Sequence, residues 1–168
     1  MGSEMCIRDR RTPYPLHLGI TEVGLLQAGS IRSALGIGIL LYHGIGDTIR
    51  VSLTTHPRLE VLAAYEILKA LGLRQRGATL VSCPTCGRCQ VELAELATAV
   101  EKELLGMVKP IKVAIMGCEV NGPGEARDAD VGIACGKGRS AIFKKGKIVA
   151  TVEERDFLGA LLAQIEEL

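Results

Sequence analysis

The sequence predicts an α/β fold in two parts, on three observations. Short strand-like runs alternate with stretches of helical periodicity, and polar residues fall just past the ends of those runs. The interior on offer is aliphatic: aromatics are only 3% and Trp is absent, so the core must be built from Leu, Ile, Val and Ala. At 168 residues with 48% hydrophobic content and a mean hydropathy of +0.26, the chain can bury a real core, in one domain or two small ones.

The first ten residues, Met1 to Arg10, follow neither a helical nor a strand period and join abruptly to patterned sequence. They are expected to be a non-native leader, such as a vector-derived scar or a mistranslated sequencing-adapter end, and Cys6 is set aside with them. The part from 11 to 75 then reads strand, helix, strand, helix. Leu16 to Ile20 is a short buried strand, Thr21 to Gly24 a turn, and a helix runs on to about Tyr42. Thr48 to Leu53 is a second strand. Leu59, Leu62, Ala63, Ile67, Ala70 and Leu71 mark one face of a second helix, which Gly72 stops. This order predicts a parallel sheet whose carboxyl edge is the place for a ligand.

The part from 76 to 168 opens with a strand at Ala78 to Val81 that runs into Cys83-Pro84-Thr85-Cys86. Leu93, Leu96, Ala97, Val100 and Leu104 follow helical spacing, which predicts the cysteine motif at a helix start. Strands are expected at Ile111 to Met116 and Asp130 to Ala134, and Ser140 to Val152 as a hairpin turning at Lys145-Gly146. Thr151 and Glu154 have capping-box spacing ahead of a closing helix whose apolar face is Leu158, Leu161, Leu162, Ile165 and Leu168.

Charge narrows the partners. Twenty basic and 19 acidic residues leave a net +1, which provides no global field for nucleic acid or an anionic membrane, so anion binding must be local. The longest apolar stretch, around Ile37 to Ile45, is interrupted by Gly38, His43 and Gly44 and is far shorter than the roughly 18 residues of a spanning helix. The first residues given lack the basic, then apolar, then small-residue order expected of a secretory signal. The six cysteines are therefore expected in a reducing cytoplasm, as metal or redox groups.

Chemistry concentrates in two segments, Cys83-Pro84-Thr85-Cys86 and Cys118 followed by Asn121-Gly122-Pro123-Gly124-Glu125. Two soft thiolates at x2 spacing, a third from a distant loop and a hard carboxylate suit an asymmetric iron-sulfur site, in which one exchangeable oxygen ligand lets an iron act on substrate. Other readings stand beside it. Cys83 and Cys86 after a strand and before a helix also fit a thioredoxin-like dithiol redox module. With Cys89 in place of Glu125 the set fits a pure iron-sulfur electron-transfer or a zinc-binding module, although the second Cys-x2-Cys of a zinc ribbon is missing. Taken singly, Cys118 reads as a buried structural thiol, Glu125 as a solvated turn carboxylate and Cys135 as a core or turn residue. In the first part, Arg50 and Ser52 share a strand face and could hold a phosphate through the guanidinium fork and a hydroxyl. An Arg50–Glu22 ion pair at the sheet edge accounts for the same residues. His17, His43 and His56 show no ligand spacing.

Four ordered motifs carry a resemblance: His17-Leu-Gly-Ile-Thr-Glu22, Gly46-Asp-Thr-Ile-Arg-Val-Ser-Leu53, Ser82-Cys-Pro-Thr-Cys-Gly-Arg88 and Gly117-Cys-Glu-Val-Asn-Gly-Pro-Gly-Glu125. From about Pro15 to Leu168 the chain resembles the C-terminal part of the bacterial 4-hydroxy-3-methylbut-2-enyl diphosphate synthase family of the non-mevalonate isoprenoid pathway. The resemblance implies the last two βα units of a TIM barrel followed by a small α+β iron-sulfur domain. It implies reductive ring opening and dehydroxylation of 2-C-methyl-D-erythritol 2,4-cyclodiphosphate, with two electrons from ferredoxin or flavodoxin.

By the same resemblance Cys83, Cys86, Cys118 and Glu125 match the ligands of a 4Fe-4S cluster, with Glu125 the ligand that substrate oxygen displaces. Thr21, Glu22, Arg50, Ser52 and Asn121 match positions that meet substrate, with Glu22 as acid or base and Arg50 and Ser52 on the diphosphate. Cys89 matches no ligand. Two βα units against eight in a barrel imply that roughly 180 residues are absent. A homodimer is implied for the complete enzyme, the cluster domain of one subunit closing over the barrel of the other, with the fragment inactive alone.

Overall fold

The computed structural model describes residues 13–21, 23–119, 124 and 126–168. The chain forms two compact units, Met1–Gln75 and Arg76–Leu168.

In the first unit, β1 (His17–Gly19) pairs in parallel with β2 (Thr48–Arg50), with Leu18 opposite Ile49. The crossover between them is α1 (Leu26–Tyr42), and α2 (Pro57–Ala70) follows β2. This is the strand, helix, strand, helix order the periodicity predicts. β2 stops three residues short of the expected Leu53 because the described part of β1 ends at Gly19 and offers no further ladder. The backbone amides beyond it are taken up elsewhere: Leu53 donates to the Glu60 carboxylate at 2.7 Å and Thr54 to the carbonyl of Gly24 at 3.0 Å. Val51 and Leu53 still turn inward and join Leu18, Val23, Ile37 and Ile67 in the core of this unit.

Both ends of α2 are explained by local chemistry. Pro57 fills the first helical position and His56 caps it, its Nδ1 accepting the Arg58 amide at 3.2 Å. At the other end Gly72, at φ +68°, reverses the chain. Its amide bonds Lys69 O, and that of Leu73 bonds Leu68 O, the double closure of a Schellman turn. On α1, Ile31, Leu35, Ile39 and Tyr42 form an exposed apolar stripe.

The second unit is a five-stranded sheet in the order β3 (Thr79–Ser82), β4 (Lys112–Met116), β5 (Val131–Cys135), β6 (Arg139–Lys144), β7 (Lys147–Glu153). The first three strands are parallel and the last two pairings antiparallel. β4 shows why both faces are covered. Val113 and Ile115 pack with α3 (Leu93–Leu104) and α4 (Phe157–Glu166), whereas Ala114 and Met116 pack on the opposite face with Ala126, Ala129 and Phe143. A strand buried on two sides needs apolar residues at consecutive positions, as Val113-Ala114-Ile115-Met116 supplies. The β6–β7 hairpin turns at Lys145 (φ 48°) and Gly146 (φ 74°), the left-handed pair of a primed two-residue turn.

One expectation is corrected here. Thr151 lies inside β7, opposite Ala141, and the ladder continues to Glu153. A single 3-10 turn at Glu154–Asp156 then leads into α4, whose cap residue Asp156 makes no side-chain cap hydrogen bond. Sheet pairing claims Thr151 before it can serve a helix. Among the described residues no helix is long and apolar enough to cross a membrane.

Candidate metal centre

β3 and β4 run in parallel with Ser82 opposite Ile115, so their carboxyl ends open at one sheet edge. Cys83 is the next residue after β3, its amide bonded to the Ile115 carbonyl at 3.3 Å. Cys118 lies two residues beyond β4. The two segments are joined directly: the amide of Gly117 donates to the Cys83 sulfur at 3.2 Å. Cys83 is half-buried, Cys86 exposed and Cys118 buried.

The cysteine motif does not sit at a helix start, contrary to the sequence expectation. α3 begins at Leu93, seven residues after Cys86. The intervening chain turns back on itself, with the Cys89 amide on Cys86 O and the Gln90 amide on Gly117 O, both at 2.9 Å. Pro84 and Gly87 disfavour helix in this stretch, and the two bonds spend the amides that a helix would need. The local amides do what a helix terminus was expected to do. The Arg88 backbone amide, and then its side chain, hold the Cys86 thiol below the ordinary cysteine range.

The remaining described cysteines are structural. Cys89 donates to the Val91 carbonyl at 3.2 Å and packs against the main core, and Cys135, fully buried at the end of β5, belongs to the same core. Burial pushes the Cys135 thiol up to about 11, so it stays neutral. Among the described residues no three His, Cys, Asp or Glu side chains form a ready-made metal site. The structure brings the Cys83 and Cys118 segments together at one edge and leaves Cys86 facing solvent. Soft donors on two adjoining loops, with an amide already on one sulfur, suit an iron-sulfur cluster in kind. Asn121 and Glu125 lie outside the described residues.

In the first unit Thr21 is exposed, two residues past β1; Arg50 is the last residue of β2 and exposed; Ser52 is half-buried two residues on. These three fall at or just past the carboxyl ends of the paired strands, as expected. Glu22 lies outside the described residues, and among those described Arg50 makes no ion pair. The histidines take structural roles: Nδ1 of His17 lies 2.8 Å from the Thr48 hydroxyl, His56 caps α2 and His43 closes α1. Sequence reading missed Arg74, which lies over the Tyr65 ring at 5.2 Å and lines the same groove, of about 340 Å³, as Arg50. It also missed the part played by Gly117. Only tertiary contacts reveal either.

Comparison with known proteins gives matches along most of the chain. The family model for the GcpE protein C-terminal domain matches residues 79–167, and that for the GcpE TIM-barrel domain matches residues 5–65. Among curated relatives, proteins named 4-hydroxy-3-methylbut-2-en-1-yl diphosphate synthase (flavodoxin) are similar throughout. The one from Dehalococcoides mccartyi is 60% identical over 156 residues, which are 93% of this chain and 45% of the relative. That from Geobacter sulfurreducens is 58% identical over 159 residues, 95% and 45% of the two chains. That from Aquifex aeolicus is 54% identical over 158 residues, 94% and 44%. The chain thus spans a little under half the length of the relatives it matches.

Proposed function

The chain belongs to the GcpE family, and from that membership we propose that it supplies the cluster domain and two βα units of a reductase acting on 2-C-methyl-D-erythritol 2,4-cyclodiphosphate. The product is 4-hydroxy-3-methylbut-2-enyl diphosphate. Two electrons and two protons enter, the ring carbon–oxygen bond to the diphosphate breaks, and the C3 hydroxyl oxygen leaves as water. The observation that carries the reading is the Gly117 amide on the Cys83 sulfur, which ties two cysteine loops to the carboxyl edge of β3 and β4.

Cys83, Cys86, Cys118 and Glu125 would hold a 4Fe-4S cluster. When bound, that cluster supplies single electrons and one iron with an exchangeable ligand. Arg50 binds the diphosphate through its planar fork and Ser52 donates a hydroxyl to it. Thr21 and Asn121 orient the carbon skeleton. Glu22 holds the proton that the departing oxygen requires. Electrons come from a flavodoxin or ferredoxin, and the working form is a homodimer in which a cluster domain covers a TIM barrel.

Anaerobic reconstitution of the chain with iron and sulfide tests the reading. About four irons and four sulfides per chain are expected, and Cys83→Ser, Cys86→Ser or Cys118→Ser should each abolish stable loading. Glu125→Cys should retain the cluster while turnover in a complete enzyme collapses, because a thiolate exchanges less readily than a carboxylate. Zinc in place of iron, or no metal at all, would overturn the assignment.

A further inference from the structure

We propose that Gly117 is a positioning residue for the cluster ligand Cys83, with the Cys89 side chain as the wall that holds it in place; the proposal rests on the iron-sulfur reading above. Gly117 makes three contacts at once. Its amide donates to the Cys83 sulfur at 3.2 Å and its carbonyl accepts the Gln90 amide at 2.9 Å. Its Cα face lies against Cys89, so closely that a Cβ there would stand 2.6 Å from the Cys89 sulfur and 3.2 Å from Cδ2 of Leu93. Cys89 cannot easily retreat, because its thiol is bonded to Val91 O and its side chain packs on the main core.

These contacts assign Cys89 a purpose distinct from metal ligation. It lies against the Cα face of Gly117 and leaves room for a glycine and nothing larger, so the amide stays where it reaches the Cys83 sulfur. An N–H donor on a ligating sulfur stabilises negative charge there, and reduction adds negative charge, so the bond favours the reduced cluster. Gly117 is therefore placed to set both how firmly Cys83 is oriented and how readily the cluster accepts an electron. Any side chain at 117 must push the strand end away from Cys89 and lengthen the bond to sulfur.

The test is a size swap, read on the anaerobically reconstituted chain by iron content, chelator-driven iron release and cluster midpoint potential. Gly117→Ala should release iron about tenfold faster, the scale of loss for a ligand-orienting partner, and lower the potential. Cys89→Ala should keep four irons. In Gly117→Ala with Cys89→Ala the sulfur is gone and the new Cβ meets only the Cys89 Cβ position, at 3.6 Å, and the flexible end of Leu93. That double variant should recover wild-type release and potential, and it remains the decisive reading if the single glycine variant does not fold. If Gly117→Ala merely lowers the melting temperature and leaves release and potential unchanged, the assignment is wrong. It is equally wrong if the double variant fails to recover, or if Cys89→Ala loses iron. Failure of the unsubstituted chain to bind a four-iron cluster would instead overturn the iron-sulfur reading itself, and this inference with it.

Discussion

Gly19 stands opposite Arg50 in the parallel β1–β2 ladder, and the Arg50 side chain occupies the space a larger residue at 19 would need: a Cβ there would lie 3.3 Å from Nε. A Cβ would also lie 3.2 Å from the Arg50 carbonyl oxygen, so the bare Gly19 leaves the guanidinium stem room to lie across β1. If Arg50 grips a diphosphate, Arg50→Ala in a complete enzyme should cost about 2 kcal/mol of substrate binding, on the order of a 30-fold rise in KM. Arg50→Lys should recover only part of it, because an ammonium cannot reproduce the bidentate fork. Gly19→Val should raise KM in the same direction with Arg50 still present. Unchanged KM in Gly19→Val would separate the two residues.

Gly132, in the middle of the sheet, should tolerate no side chain. A Cβ there would stand 2.6 Å from the Ala114 carbonyl oxygen and collide with the Phe143 ring. The ring can shift but the β4 backbone cannot, since Ala114 is paired on both sides. Gly132→Ala is expected to destabilise the chain by about 3 kcal/mol, at the upper end for overpacking. Adding Phe143→Leu should restore only a fraction. Urea unfolding of the three variants measures both effects.

Alkaline pH should act through Cys135. Its folded value of about 11 lies above the 9.0 of an exposed thiol, so the unfolded chain loses this proton first as pH rises. Stability from the neutral thiol is complete below pH 9 and falls between 9 and 11 by up to about 1.4 kcal/mol per pH unit. Cys135→Val should unfold with a shallower alkaline decline than the parent chain. In the metal-free chain a thiol reagent at pH 8 should modify exposed Cys86 early and Cys135 last.

The fold was legible wherever local pattern and tertiary environment agree. Apolar spacing located α3 and α4 because one face of each packs on the same core, and Lys145-Gly146 marked the hairpin because its φ angles suit that turn. Pattern failed where long-range pairing overrides local signals. Thr151 and Glu154 have capping-box spacing, but β6 keeps Thr151 in a strand. Leu93 opens a helical repeat, but the loop before it is held by Gly117, a residue 24 positions away. Residue types alone marked Cys83, Cys86, Cys118 and Arg50 as candidates. The roles of Gly19, Arg88 and Gly117 depend on a missing side chain or a backbone amide, which no residue type announces.

The α1 stripe leads to the last prediction. Ile31, Leu35, Ile39 and Tyr42 are between 56 and 79% exposed and recur at i, i+4, i+8 and i+11, one face of a helix. Beside them lies an apolar groove of about 360 Å³ shared with Ile67, Ala70 and Leu71 of the same unit. Four large apolar side chains in one strip exceed what a lone soluble surface usually presents. In a barrel the neighbouring βα unit would cover such a face. Leu35→Glu with Ile39→Lys should therefore reduce self-association of this chain, seen as a smaller sedimentation coefficient. The change should leave its far-UV circular dichroism intact, because neither residue belongs to the core of Leu18, Ile37 and Val51. The same pair in a complete enzyme should have the opposite consequence and lower its melting temperature, since two charges would then be buried against a partner helix at a desolvation cost that their own i,i+4 pairing does not repay. If the complete enzyme is indifferent to them, the stripe is not an internal barrel surface.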